Sequence, residues 1–255
     1  MTRSAIVTGA ASGIGRATAI RLAADGFDVV VADIRRDPIT GGETTDSLIE
    51  QAGGRAVYVE ADVSDEAACR RLVEAAVARA GTLDVIVNNA VLAGAHSKSL
   101  LETEPGDWDA MMAVNLRGPY LLCRAAVRQM LQQPLVGDAR GRIINITSQH
   151  GMVGPPGHFA YAVGKGGLAQ MTRQIAVDYG SQGIICNAVA PGKIVTGTAG
   201  DLSASAEGLA YVQSRTPFAR LGRAEDVASA VSFLATEASY VSGINLLVDG
   251  GWMAY

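Results

Sequence analysis

The 255-residue sequence is poor in cysteine and histidine, carries no excess of positive charge and has no long apolar run. Its three cysteines, Cys69, Cys123 and Cys186, lie far apart, form no CxxC pair and are odd in number. That pattern excludes a disulfide framework and fits inert thiols in a reducing compartment. The three histidines, His96, His150 and His158, show no metal-ligand spacing, so no zinc site is expected. A formal net charge of −4 leaves no general basic face for a nucleic acid. No stretch approaches the roughly 20 apolar residues that span a bilayer. The chain passes directly into Ala5-Ile6-Val7, without an apolar leader and cleavage site. A cytoplasmic protein without a membrane or nucleic-acid partner is expected.

What is present is a well-buried α/β pattern. Apolar residues make up 49% and charged residues 18%, a balance suited to a large core. Short β-branched runs fall at Ser4–Thr8, Asp28–Asp33, Ala56–Asp62, Leu83–Asn88, Arg142–Thr147, Ile184–Val189 and Asn245–Val248. They are nearly continuous apolar segments, as in Val29-Val30-Val31, which a strand covered on both faces requires. Amphipathic stretches alternate with them. Asp65–Ala80, for example, spaces Ala68, Leu72 and Ala76 at helical intervals. The alternation predicts a single Rossmann-like doubly wound domain over residues 1–255, with a parallel sheet flanked by helices on both faces. No repeat or linker divides it. The Gly192–Phe218 segment has no clear period and follows a strand's carboxyl end. It reads as a substrate lid.

Three features carry chemistry. Gly9, Gly13 and Gly15 follow the first strand and open a helix, with Ser12 and Ile14 between them. Such a turn lets backbone approach a pyrophosphate, and a helix N-terminus offers it unpaired N–H groups. Asp33 closes the second strand, where a carboxylate accepts from both ribose hydroxyls of an adenosine and repels a 2′-phosphate. This favours NAD over NADP. Arg35 and Arg36, just downstream, either stay solvated or bend back to a 2′-phosphate. Asp62-Val63 ends the third strand and is placed to hold an adenine. Asn88-Asn89-Ala90 ends the fourth, where amides can tie strand ends together. Finally, Tyr161 and Lys165 sit one helical turn apart on one face, downstream of Ser148.

These residues resemble the short-chain dehydrogenase/reductase family. The resemblance rests on Thr8-Gly9-xxx-Gly13-x-Gly15, Asp33, Asp62, Asn88-Asn89-Ala90, Asn115, Ser148, Tyr161-xxx-Lys165, Pro191-Gly192, Thr196 and Val248-Asp249-Gly250-Gly251. They run in family order across nearly the whole chain. The resemblance implies a seven-stranded Rossmann sheet, a nicotinamide cofactor and a homotetramer. It further implies that Lys165 grips the nicotinamide ribose and that Asn115 holds a relay water. Pro191, Gly192, Ile194 and Thr196 are then candidate contacts to the nicotinamide end or the pyrophosphate. Val91, Gly164 and Ala224 depart from the common pattern, where glycine, serine and proline are frequent, without removing a catalytic group.

The chemistry expected is hydride transfer coupled to proton transfer. Tyr161 is the acid/base, Ser148 a hydrogen-bond partner of the substrate oxygen, and Asn115 and Lys165 complete the set. A free tyrosine ionises near pH 10, and a neighbouring ammonium lowers that value. Gln149, His150 and His158 are candidate substrate contacts beside Ser148 and Tyr161, with Val91, Leu92 and His96 opposite. These polar groups suit a sugar, a polyol or a small hydroxy ketone. A 3-oxoacyl thioester reductase is the competing enzyme reading, and a non-catalytic NAD-binding or sensing protein is the alternative of another class. Redox-neutral epimerase or dehydratase chemistry also occurs on such a fold, usually with a larger carboxyl-terminal lobe. The apolar helices Asp107–Gln133 and Phe159–Tyr179 are expected to face a second subunit as well as the sheet. The aromatic tail Trp252–Tyr255 is expected to dock at another subunit's surface.

Overall fold

The computed structural model describes residues 2–92, 98–197, 206–218 and 220–254. Nine strands and eight α-helices alternate among them. The strands are β1 (Arg3–Thr8), β2 (Phe27–Asp33), β3 (Arg55–Glu60), β4 (Val85–Asn88), β5 (Gly141–Ile146), β6 (Ile184–Pro191), β7 (Ile194–Val195), β8 (Gly222–Arg223) and β9 (Asn245–Val248). The helices are α1 (Gly13–Ala24), α2 (Thr45–Gln51), α3 (Glu66–Ala80), α4 (Pro105–Met112), α5 (Gly118–Met130), α6 (Phe159–Tyr179), α7 (Ala206–Arg215) and α8 (Ala224–Thr236). Seven strands form one parallel sheet in the order β3-β2-β1-β4-β5-β6-β9. β7 and β8 pair separately.

The β-branched runs are buried on both sides of this sheet. Val29, Val31, Val85 and Val87 face one core with Leu22 of α1 and Val227, Val231 and Leu234 of α8. Their neighbours Val30 and Ile86 face the other, with Leu72 of α3 and Leu122 and Met130 of α5. Strand residues of period two thus feed two apolar layers, which is why no polar alternation marks the sequence.

Local chemistry sets the helix ends. Asp65 caps α3, accepting from Ala67 N at 2.9 Å and Ala68 N at 3.2 Å, so the helix starts one residue later than its apolar spacing suggests. Gly81 ends it in the left-handed region. Arg79, on the apolar face by spacing, donates instead to the buried Asp28 carboxylate at 2.7 Å. The long apolar stretch after residue 104 is α4 and α5 joined by a π-turn over Ala113–Arg117, with right-handed dihedrals throughout.

Because the sheet is parallel, β1, β4, β5 and β6 all deliver their carboxyl ends to one edge. Thr8 Oγ1 accepts from Asn89 N and Ala90 N, each at 3.0 Å, and so fastens the chain after β4 to the end of β1. Replacing Thr8 by Val keeps the shape and leaves two buried N–H groups without an acceptor. Thr8→Val is expected to lower unfolding free energy by about 2–4 kcal/mol in urea titrations, and a change under 0.5 kcal/mol contradicts this role.

Candidate active site

The turn after β1 is built for a close approach. Gly9 has φ +63°, and a Cβ there would lie 2.8 Å from Ala90 Cα. A Cβ on Gly15 would lie 2.1 Å from the Gly9 carbonyl oxygen, so the first turn of α1 sits directly on the loop. Asn89 Nδ2 holds that loop through Thr8 O at 2.8 Å and Gly9 O at 3.2 Å. Ser12 occupies the N-cap position but does not cap α1, and its Oγ accepts instead from Ile39 N at 2.8 Å. No acidic residue lies in the first turn. Uncapped N–H groups and the positive end of the helix dipole face outward there, as a diphosphate requires. Thr196 lies against this turn, with its Cβ 3.4 Å from the Cβ position of Gly13.

Asp33 ends β2 beside the same turn. Its Oδ2 accepts from Ala11 N at 3.0 Å and its Oδ1 from Arg35 N at 3.4 Å, which aims the carboxylate along the edge. Of the two arginines downstream, Arg36 is tied to Asp46, at 3.1 Å through Nε and 2.6 Å through Nη2. Arg35 is exposed. Asp62 Oδ1 accepts from Ser64 N at 2.8 Å and Ser64 Oγ at 2.7 Å. Val63 is buried, and its carbonyl accepts from Cys69 Sγ at 3.3 Å. Both residues follow the carboxyl end of β3. The glycine turn, its uncapped helix and Asp33 together fit a dinucleotide.

Ser148 follows β5 and opens a 3₁₀ turn over Gln149–Gly151, its Oγ accepting from His150 N at 3.1 Å. Tyr161 lies in the first turn of α6. Burial raises the Tyr161 pKa and a hydrogen bond with Ser148 opposes that rise. Lys165 is 3% exposed, with Nζ donating to Ile146 O at 2.7 Å and lying 5.8 Å from the centre of the Tyr161 ring. Burial pulls the Lys165 pKa down to about 8. The sequence leads one to expect a depressed tyrosine. The chain's own groups do not produce one, because desolvation of the phenolate outweighs the Ser148 hydrogen bond.

Asn115 sits inside the π-turn and is fully buried. Its Oδ1 accepts from Leu92 N at 2.8 Å and its Nδ2 donates to Leu92 O at 3.1 Å. This two-point clamp fixes the chain just after β4 beside α6, where Gly164 leaves room for Met112 and Asn115. Val91 and Leu92 are part-exposed on that side. His96 lies outside the described residues.

On the other side of Tyr161 an aromatic group closes the site. His150 is 6.4 Å from the Tyr161 ring, edge-on, and 5.2 Å from His158. The Trp252 ring lies 6.4 Å from that of His150, edge-on. Arg215 at the end of α7 lies 5.2 Å over the Trp252 ring. The bonds of Gly251 N and Met253 N to the Asp249 carboxylate, each 2.9 Å, fold the tail back this way. Burial holds both histidines neutral, with His150 at about 4 and Lys193 adding to the effect. Gln149 is 1% exposed, its Nε2 3.5 Å from His150 Nε2 and its Oε1 without a hydrogen-bond partner among the described residues. The structure thus brings Ser148, Gln149, His150, His158, Tyr161 and Lys165 together, and sets Asn115 behind them as a clamp on Leu92. Pro191 ends β6, and Gly192 N donates to Val248 O at 3.0 Å, while Ile194 pairs with Gly222. Sequence reasoning missed Lys193 and the approach of Trp252. Lys193 was legible only as a cation next to Pro191-Gly192.

The buried lysine makes stability depend on pH. Its folded-state pKa is lower than its unfolded value, so the folded protein carries a penalty below about pH 8 that fades as pH rises toward 10.5. Lys165→Met is therefore expected to be more stable than the parent at pH 7, by up to about 3 kcal/mol. That advantage shrinks by pH 10. Urea titrations at the two pH values, showing an equal difference at both, would contradict the assignment.

Comparison with known proteins agrees with this geometry. A family model described as enoyl-(acyl carrier protein) reductase matches residues 9–253. Glucose 1-dehydrogenase 2 of Bacillus subtilis is 38% identical over 254 residues, covering 99% of this chain and 95% of the relative. Cis-4-hydroxycyclohexanecarboxylate dehydrogenase of Sinomonas cyclohexanicum is 40% identical over 253 residues, covering 99% and 97%. A solved structure from Agrobacterium tumefaciens with bound NADP, provisionally assigned as a 2-deoxy-D-gluconate 3-dehydrogenase, superposes with a TM-score of 0.86. It is 34% identical and covers 99% of this chain and 97% of its own. With these relatives and this site, the chain belongs to the short-chain dehydrogenase/reductase family and is an oxidoreductase acting on CH–OH groups.

Proposed function

We propose that the enzyme interconverts a secondary alcohol and a ketone with NAD, with Tyr161 as the proton-transferring residue. The observation that supports this most directly is the convergence of Ser148, Tyr161 and Lys165 at the sheet edge that also carries the uncapped glycine turn. Gly9, Ser12, Gly13, Ile14 and Gly15 hold the diphosphate, and Asp33 the adenosine ribose. Asp62, Val63, Asn89 and Ala90 flank the adenine side, and Pro191, Gly192, Ile194 and Thr196 flank the nicotinamide end. Lys165 holds the nicotinamide ribose. NAD supplies the hydride acceptor for oxidation, and its reduced form the donor for reduction.

The chain's own residues handle the proton. Ser148 hydrogen-bonds the substrate oxygen and orients it on Tyr161 Oη, which takes the alcohol proton during oxidation and returns it during reduction. The Lys165 ammonium favours the phenolate, and a positive nicotinamide ring acts in the same sense. Asn115 fixes the wall behind them and lines the route by which the proton reaches water. Tyr161→Phe keeps the ring and removes the transferable proton. Turnover is expected to fall at least a thousandfold while the NADH dissociation constant stays within threefold. Turnover within threefold of the parent would overturn the role.

Asp33 supports NAD as the preferred nucleotide, since its carboxylate would lie against a 2′-phosphate and Arg36 is committed to Asp46. The NADP bound by the Agrobacterium protein makes this a measurement worth taking. kcat/KM for NAD is expected to exceed that for NADP at least tenfold, with Asp33→Asn narrowing the gap. Equal values in the parent would reverse the assignment.

The neutral imidazoles and the Gln149 amide favour a sugar, a polyol or a small hydroxy ketone, in keeping with the glucose named for the Bacillus relative. Acyl thioesters belong in the same substrate panel, because the matching family description names an acyl-carrier substrate. The 192–218 segment, of which residues 198–205 lie outside the described ones, serves as a lid, with Arg215 over the Trp252 ring. Exposed Tyr120, Val163 and Val177 on α5 and α6 support a homotetramer assembled through those helices. Three buried free cysteines suit the reducing cytoplasm.

A further inference from the structure

Lys193 lies between Gly192 and β7, and the proton-transfer chemistry leaves it without a task. It is half-buried; its carbonyl accepts from Gly222 N at 3.1 Å, but among the described residues its ammonium makes neither a hydrogen bond nor an ion pair. Burial alone lowers its pKa. Withdrawing an ammonium from water without a counter-ion is costly, and proteins generally supply one. The nearby carboxylates are spent elsewhere. Asp226 is held by two nitrogens of Arg220, at 2.6 and 2.8 Å, and Asp249 receives Gly251 N and Met253 N. Both line the same cavity of about 340 Å³ as Lys193, yet neither lies within 4.0 Å of its ammonium.

The direction in which the charge acts is also on record in the histidines. Lys193 disfavours the protonated form of both His150 and His158, so its positive charge is felt at the aromatic wall beside Tyr161. Neutral imidazoles cannot act as its counter-ion. They offer hydrogen bonds to hydroxyl groups, as does the unpartnered Gln149 Oε1, which lies 3.0 Å from the Cβ position of Gly192. The half-buried Lys193 thus follows Gly192 directly, against which Gln149 Oε1 is set, and His150, next to Gln149, lies 6.4 Å from the Tyr161 ring.

We propose that the substrate is a hydroxy acid and that Lys193 binds its carboxylate, placing the acid group on the Lys193 side of the site while the carbinol faces Tyr161. The inference rests on the alcohol–ketone reading above and narrows its substrate class. The carboxylate replaces the water lost by the lysine, and further hydroxyls of the substrate meet Gln149, His150 and His158. Binding energy at the acid end is felt equally in the bound substrate and in the transition state, so it acts on KM. A nucleotide phosphate is the other anion within reach in principle. Gly192, next to Lys193, is set against Gln149 Oε1 at 3.0 Å from its Cβ position, whereas Thr196, three residues on, is the residue that meets the glycine turn.

The test compares the parent, Lys193→Gln and Lys193→Arg on hydroxy acids and their uncharged counterparts. D-gluconate is paired with D-glucitol, and cis-4-hydroxycyclohexanecarboxylate with its amide. In the parent, at least one acid is expected to exceed its partner thirtyfold or more in kcat/KM. In Lys193→Gln that preference collapses through KM, with kcat within threefold, and Lys193→Arg retains most of it. NADH affinity stays within twofold in all three. Equal use of acid and neutral partner by the parent overturns the proposal, as does an undiminished preference in Lys193→Gln. A tenfold loss of NADH affinity in that variant also overturns it, assigning Lys193 to the nucleotide. A second readout is independent of turnover. Cyclohexanecarboxylate, which has no carbinol, is expected to bind the NADH complex at least tenfold more weakly in Lys193→Gln, followed by protein fluorescence. If that difference is found in an enzyme that oxidises no alcohol, the carboxylate site stands and the catalytic reading fails. If no carboxylate binds the parent complex, the carboxylate site fails.

Discussion

The levelling of three strand ends, those of β1, β4 and β5, by buried hydrogen bonds is the constraint on which the rest of the molecule depends. Thr8 Oγ1 receives two backbone N–H groups from the chain after β4, and Asn89 Nδ2 returns to Thr8 O at 2.8 Å. Asn88 Nδ2 donates to Asn145 Oδ1 at 2.8 Å, and Asn145 Nδ2 donates to Thr172 Oγ1 on α6 at 2.9 Å. This chain of amides and hydroxyls couples the glycine turn, the loop after β4, Ser148 and the helix that carries Tyr161. Inside an apolar core each such bond is expensive to break, so the edge keeps one geometry. Placement of reacting groups to within a fraction of an ångström needs that stiffness.

Against this rigid frame the site holds two lysines in unfavourable surroundings. Among the described residues the buried Lys165 ammonium has a single carbonyl oxygen as its hydrogen-bond partner, and the ammonium of the half-buried Lys193 has none. Tyr161 is disfavoured as a phenolate by the same burial. Stability alone would select apolar residues at such positions. Retaining charge there concentrates electrostatic strength in a region of low dielectric, where an arriving anion or a developing phenolate feels it far more than it would in water. The desolvation borne by the folded chain is the counterpart of that strength.

The strands were legible because burial on both faces forces continuous β-branched runs. β1, β2, β5 and β6 begin or end within about two residues of those runs, and α6 coincides with its apolar stretch. The glycine turn, Asp33 and the Ser148–Tyr161–Lys165 set were legible because each needs a residue type that few others can replace. Three things were not. The spacing of apolar residues from 107 to 133 carries no mark of the π-turn, since the change lies in the backbone ladder. Trp252 reached its own His150 through a fold-back set by Asp249, a contact no local pattern encodes. The task of Lys193 depends on which carboxylates are already engaged, which only three-dimensional neighbours reveal. α7 and β7 fall inside the 192–218 segment, whose sequence shows no period of its own.

The π-turn over Ala113–Arg117 has a consequence for how this helix pair tolerates change. Its wider loop is one residue more than an α-helical ladder accommodates, and one residue advances a helix by about 100°. α4 and α5 are therefore set out of phase with each other by that single insertion. The widening turns Asn115 toward Leu92 while letting Leu122 and Met130 still face the sheet. Excising any one residue of the five would restore an ordinary helix and swing one of the two surfaces out of place. Length here, rather than side-chain identity, is what ties the core packing to the chemistry.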